Sequence, residues 1–334
     1  MKRENFFGYE KYSFGSGALS VSVVTLGAAV TELRFAGRNM VLCYPDAAGY
    51  LDGTAYICAA IGRYANRIAG ARFTLNGREY VLPANEGKNQ LHGGPDSYDK
   101  RRWEAEVLGD DSVRFTLHSP DGDNGFPGNL TASVTYTVSG DTLRLDFGGV
   151  SDADTVYAPT SHMYFNLDGS SALDHSMRID SAGWLEVDGG LIPTGRVMPP
   201  EGDFDFHALR RVTRDYDHCF VMNGEHACTV EAGGVRMDVF TDFPAMQVYT
   251  SSGMGAPHGK NAGLAIEPEF YPAEELKKVE GEFSVSTFVK KVTGVDNVCE
   301  RSAVYTGGTL RIRKQAENGV TAAFAWDNWR VKFE

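Results

Sequence analysis

Short runs of alternating apolar and polar residues, each closed by a glycine-bearing turn, recur along this chain and leave little room for a helical layer. Residues 71–75 and 78–82 flank Asn76-Gly77, the residue pair that best tolerates the positive φ angles of a two-residue hairpin. Residues 130–138 and 142–147 flank Ser139-Gly140-Asp141, and 227–231 and 235–240 flank Gly233-Gly234, which predicts two further hairpins. Candidate helices are confined to 204–211 and 273–279, both short and only partly periodic. Sequential hairpins with few helices predict an all-β fold, a large antiparallel β-sandwich with loops at its rims.

With 334 residues, of which 42% are hydrophobic, the chain can bury a sizeable core. No stretch reads as a linker and no internal repeat is present, so one β-sandwich domain over 1–334 is expected, with an atypical C-terminal segment from about 273. The segment 304–334 reads as extra strands carrying Trp326 and Trp329.

A formal charge of −12 opposes association with nucleic acid or an anionic membrane. No apolar run is long enough to span a bilayer and no secretory leader is evident at the start, so a cytoplasmic protein is expected. Cys43, Cys58, Cys219, Cys228 and Cys299 form no C-x-x-C pair and are odd in number, which reads as free thiols without a disulfide framework or zinc site.

Four segments carry residue types suited to proton transfer on a polar ligand. His162 stands in Pro159-Thr160-Ser161-His162-Met163-Tyr164-Phe165-Asn166-Leu167, beside aromatic residues and a turn. His92 lies in Leu91-His92-Gly93-Gly94, where the glycines let the backbone approach a ligand closely, although a plain loop histidine fits equally. In the segment 62–68, Asn66 and Arg67 put an amide beside a guanidinium fork, suited to hydroxyl or carboxylate recognition or to a surface ion pair.

Glu267 follows the apolar run Leu264-Ala265-Ile266 and precedes Pro268, at the end of an expected half-buried strand. There a carboxylate needs either a structural hydrogen bond or a function. Glu269, one strand period on, points to the same side. Asp217 either caps a turn or accepts from a ligand, and Gln247 faces either a pocket or solvent. The calcium-like start Asp121-Gly122-Asp123-Asn124-Gly125 fails at its sixth and twelfth positions, Phe126 and Ala132, and reads as a turn. P-loop, G-x-S-x-G and H-E-x-x-H patterns are absent from the sequence.

Taken together, these segments resemble the aldose 1-epimerase family, also called galactose mutarotases, over about residues 5–272. In that family an N-R-I segment precedes the first site histidine of an L-H-G-G motif by the spacing that Arg67 and His92 keep here. Ser119-Pro120-Asp121-Gly122, Gly125-Phe126-Pro127-Gly128, Leu191-Ile192-Pro193-Thr194-Gly195 and Phe204-Asp205-Phe206 also follow in family order. The resemblance implies a β-sandwich of the galactose-mutarotase type, an open sugar cleft, and no metal or organic cofactor. It implies His162 as catalytic acid, Glu267 as catalytic base, and Asn66, Arg67, His92, Asp217 and Gln247 as sugar-contacting residues. The expected partner is a small-molecule aldose, taken up by a monomer or homodimer. The chain departs from the family at Glu269, where glutamine is common, and after about residue 273.

Glu267 beside His162 is expected to raise the imidazole pKa, unless burial outweighs it, and to produce a bell-shaped pH profile. Three other readings compete. A hexose-phosphate epimerase would need cations such as Arg101-Arg102 or Arg210-Arg211, a non-catalytic sugar-binding module would need no acid and base, and a polysaccharide lyase or glycosidase would need a longer groove.

Overall fold

The computed structural model describes residues 1–272 and the strand segments Phe288–Val289, Val304–Tyr305, Gly308–Thr309 and Ala322–Phe333. Among these residues three antiparallel sheets dominate. A five-stranded sheet runs from Lys2–Phe6 to Arg38–Asn39 in chain order. A nine-stranded sheet contains the meander Glu104–Gly109, Ser112–Ser119, Leu130–Ser139 and Thr142–Ser151. A six-stranded sheet is ordered Tyr164–Phe165, Leu264–Glu269, Ala245–Tyr249, Asp217–Met222, Ser181–Val187, Pro193–Met198.

All three hairpins form where the turn residues require them. Asn76 and Gly77 have φ of 52° and 79°, so both central residues are left-handed, as a tight turn matching the strand twist demands. Gly233 and Gly234 do the same at 54° and 75°. Leu130–Ser139 alternates buried with half-buried positions along its length, so one face enters the core. From that face the Tyr136 hydroxyl donates to the Ala28 carbonyl at 2.8 Å, and Phe115 meets Tyr12 edge-on at 6.0 Å, which docks the five-stranded sheet. Phe147 and Phe243, 6.3 Å apart, join the nine-stranded sheet to the region that opens the strand Ala245–Tyr249. One apolar cluster thus runs from Tyr12 to Phe333 across all three sheets.

One expectation changes. The segment 204–211 is not helical: a 3-10 turn at Gly202–Phe204 leads to the short strand Arg210–Arg211. Phe204 stacks on Trp184 at 3.8 Å, Phe206 is buried against Tyr216, and the Asp205 carboxylate accepts from the His207 N–H. These contacts keep the segment out of a helix, against its weak helical periodicity. The candidate helix 273–279 lies outside the described residues. A one-and-a-half-turn helix, Ala47–Asp52, was not foreseen; the Asp46 side chain caps it by accepting from the Gly49 N–H at 2.9 Å.

The C-terminal strand Ala322–Phe333 is not appended to an edge. It sits inside the nine-stranded sheet, paired antiparallel to Thr142–Ser151 on one side and Val235–Thr241 on the other. Trp329 lies opposite Leu145 and Thr241 and is fully buried. The calcium-like segment is a turn, and its carboxylates are used within the chain: Asp123 pairs with Arg101 at 2.6 Å and Asp121 accepts from the Gly128 N–H at 2.6 Å. Replacing Trp329 by alanine is expected to cost about 3–5 kcal/mol of folding stability, measured by urea denaturation with m unchanged. A loss under about 1 kcal/mol would mean that this strand does not carry the sheet.

Candidate active site

Strand register assembles one half of the site. In the six-stranded sheet Gln247 lies opposite both Glu267 and Cys219, and Tyr249 lies opposite both Ala265 and Asp217. Because side chains alternate, Glu267, Glu269, Gln247 and Asp217 share a face, and the Gln247 amide donates to Asp217 Oδ1 at 2.6 Å. Tyr164–Phe165 pairs with the other side of the Glu267 strand, at Ala265 and Leu264, and carries the preceding His162 to the same place. The strand Leu264–Glu269 is buried at every position, on both faces, not half-buried as expected.

The other half comes from loops. Arg67–Ile68 and Gln90–Leu91 form a two-stranded ribbon that brings Asn66 and Arg67 beside His92. Gly93 is required for this approach: a Cβ there would lie 2.0 Å from the Gly62 carbonyl oxygen. Buried Arg63 fixes the ribbon from behind, donating to the Pro127 carbonyl at 2.7 Å, the Ser119 carbonyl at 3.0 Å and Thr155 Oγ1 at 3.0 Å. Asn66 has a left-handed backbone and makes four hydrogen bonds to three neighbours. Its N–H donates to His92 Nδ1 at 3.1 Å, its carbonyl accepts from the His92 N–H, its Oδ1 accepts from the Arg67 N–H, and its Nδ2 donates to Glu269 Oε1 at 2.9 Å.

All seven residues singled out from the sequence, Asn66, Arg67, His92, His162, Asp217, Gln247 and Glu267, line one cavity of about 240 Å³. His162 Nε2 lies 3.4 Å from Glu267 Oε2. The sequence reading missed Tyr56, Tyr164, Tyr249, Met254 and Glu86. Tyr56 and Tyr164 sandwich the His162 ring, at centroid distances of 5.9 and 4.8 Å, and Tyr56 also meets His92 edge-on at 4.6 Å. Tyr164 was legible, one strand period from His162; nothing near Tyr56 signals a site.

This packing decides the proton inventory. His162 is 4% exposed, and burial lowers its pKa to about 3, the case in which desolvation outweighs the neighbouring carboxyl. Burial, reinforced by the charges of Glu269 and Asp217, holds the Glu267 carboxyl well above the usual carboxylate range, with Arg67 opposing. Burial also pushes Glu269 up to about 8, against its hydrogen bond from Asn66. Burial thus favours the neutral form of both partners, the imidazole of His162 and the carboxyl of Glu267.

His92, His162 and Glu267 offer ligand atoms within 4.8 Å of one another, a constellation that could attract a metal ion. The His92 tautomer opposes this. Its Nδ1 accepts from the Asn66 N–H, so the ring proton is on Nε2, the nitrogen left for the cavity. His92 thus presents a hydrogen-bond donor to the cavity; metal ligation by Nε2 would force a proton onto Nδ1 and against another N–H.

Comparison with known proteins follows the same direction. The sequence profile described as aldose 1-epimerase matches residues 10–284. This chain belongs to that family. Its relatives include the aldose 1-epimerase of Haemophilus influenzae, 38% identical over 67% of this chain and 74% of that protein. The galactose mutarotase of Homo sapiens is 35% identical over 79% and 86%. Both names denote isomerases acting on carbohydrates. The fold is shared with a galactose 1-epimerase from Lactobacillus acidophilus, TM-score 0.81 at 24% identity over 100% of this chain and 97% of that one. It is also shared with an aldose epimerase homologue from C. elegans, TM-score 0.81 at 22% identity over 97% and 99%. A profile described as cobalamin synthesis G C-terminus matches only residues 260–325. No helix among the described residues is long and apolar enough to cross a membrane.

Burial lowers the His92 pKa well below its ordinary value too, with His162 and Arg67 adding to the effect. In ¹H–¹⁵N spectra of the ligand-free protein, both rings are expected to stay neutral through pH 5, with His92 as the Nε2–H tautomer. A midpoint near 6.5 for either ring would contradict the desolvated site.

Proposed function

We propose that this protein interconverts the α and β anomers of a free aldohexose, such as galactose or glucose, by opening and reclosing the hemiacetal ring. The observation that carries this reading is the 3.4 Å approach of His162 Nε2 to Glu267 Oε2 in a cavity sized for one sugar. The anomeric hydroxyl and the ring oxygen are borne by the same carbon, so an acid and a base that act on them must stand close together.

In ring opening, ionised Glu267 takes the proton of the anomeric hydroxyl while protonated His162 gives one to the ring oxygen. The C1–O5 bond breaks and C1 becomes an aldehyde. Glu267 is left protonated and His162 neutral, the forms that burial favours. The resting pair is thus loaded for closure: after C1 rotates, Glu267 returns a proton to the carbonyl oxygen and His162 takes the C5 hydroxyl proton. For opening, the proton must first sit on His162 rather than Glu267, with no net gain or loss. Arg67, whose charge lowers the Glu267 pKa, favours that arrangement. The His92 Nε2–H and Arg67 Nη1 are suited to hold sugar oxygens, and Asp217 with Gln247 to accept and donate at the hydroxyls.

Other readings have less support. Arg67 is the lone cation among the described lining residues and is already bound to Glu86, at 2.7 and 2.9 Å, which disfavours a phosphorylated sugar. The arginines suggested for phosphate are engaged elsewhere, Arg101 with Asp96 and Asp123, Arg211 with Asp174, and Arg210 with the Gly202 and Asp205 carbonyls. A cavity below about 300 Å³, the lower end for drug-sized ligands, suits a monosaccharide better than an oligosaccharide. Binding alone gives no reason to bury an acid and base together.

Polarimetry of freshly dissolved α-galactose and α-glucose tests the proposal. Wild-type protein is expected to accelerate the change in rotation, and Glu267→Gln or His162→Asn to lose about 10²-fold or more of kcat. Folded Glu267→Gln with full turnover would overturn the assignment.

The pH profile gives an independent check. Activity requires one proton on the pair; a second is gained only near the His162 pKa of about 3, and the first is lost only through the raised Glu267 pKa. The acid limb of kcat/KM, which reports the free enzyme, is therefore expected below about pH 4.5, and the alkaline limb follows the carboxyl. An acid limb near 6.5 would place an unperturbed histidine in control.

A further inference from the structure

Glu86 has no part in the proton transfers, yet it lines the cavity. Its carboxylate grips Arg67 with both oxygens, Oε2 on Nε at 2.7 Å and Oε1 on Nη2 at 2.9 Å. The Arg67 side chain is only 10% exposed while that of Glu86 is 37% exposed, so the pair stands with the carboxylate toward the mouth. The turn that carries Glu86 is stapled: Asn89 N–H donates to the Glu86 carbonyl at 2.9 Å, and Asn85 Oδ1 accepts from the Leu91 N–H at 2.7 Å. A carboxylate held this firmly is a built feature of the cleft.

The geometry leaves Arg67 with a particular residual capacity. A carboxylate or phosphate ligand binds a guanidinium best through two parallel N–H groups. Glu86 occupies the Nε–Nη2 fork, and Nη1 has only a long contact of 3.5 Å to Asn66 Oδ1. What remains are the outer N–H groups of a guanidinium whose charge Glu86 already balances, in a cleft that also holds Asp217 and Glu267.

We propose that Glu86 is a specificity-determining residue that reserves the cleft for neutral sugars, by balancing the charge of Arg67 and by repelling anionic sugars at the mouth. The inference rests on the anomerase reading above and goes beyond it, to the chemical class of sugar rejected and the residue that rejects it.

Galactose and galacturonate, which differ at C6 by a hydroxymethyl against a carboxylate, are the probes. With wild-type protein, kcat/KM for galacturonate is expected to be at least about tenfold below that for galactose, and the gap should narrow as salt is raised. In Glu86→Gln, galactose kcat/KM should fall a few-fold through KM, because the guanidinium is less firmly held. The galacturonate-to-galactose ratio should rise about tenfold and its salt dependence should weaken. A merely structural role would lower both sugars together and leave the ratio unchanged, and that result in folded Glu86→Gln would overturn the inference. If that variant does not fold, the wild-type salt series decides: a ratio indifferent to ionic strength, or galacturonate turned over as well as galactose, overturns it equally. Failure of wild-type protein to accelerate any aldose would instead remove the functional reading on which the inference stands.

Discussion

Two carboxyl side chains, Glu267 and Glu269, are buried on one face of one strand, and much of the site is an answer to that expense. Taking a carboxylate out of water is so unfavourable that the group takes up a proton or finds a donor. Glu269 obtains a donor from Asn66, and Glu267 faces the cavity with Arg67 as the nearby cation that lowers its pKa. Asn66 also receives and orients His92, and Glu86 compensates Arg67. The chemistry of the cleft is thus tied to one strand, through bonds that each satisfy a group which would otherwise be stranded.

That strand can be buried on both faces only because the sheets around it are large. The nine-stranded sheet holds the core in place, and its middle includes Ala322–Phe333, from the far end of the chain. A strand bonded on both sides has no free edge and keeps its backbone groups satisfied. Residues distant from the cleft in sequence therefore help hold the wall that keeps His162 and Glu267 at their 3.4 Å approach.

Local patterns were sufficient for some features and insufficient for others. Asn76-Gly77 and Gly233-Gly234 announce their hairpins because the turn conformation is a property of those residues themselves. The seven candidate side chains were legible as motif members, and they do converge on one cavity. The segment 204–211 was misread because its weak periodicity yields to the stacking of Phe204 on Trp184, a contact across the fold. Tyr56 was invisible because only its contacts with His92 and His162, far along the chain, give it a role.

The protonation of the site was the hardest feature to anticipate. From the sequence, a carboxylate beside an imidazole implies an ion pair; in the structure the desolvation of both favours a neutral pair. The sequence by itself determined the all-β class, the hairpin turns and the kinds of side chain available for proton transfer, since these follow from short-range periodicity and residue chemistry. Only the tertiary structure decided which groups meet, how Asn66 sets the His92 tautomer, how Glu86 occupies Arg67, and where the proton rests. Distance and burial between segments far apart in the chain exist only once the sheets have packed.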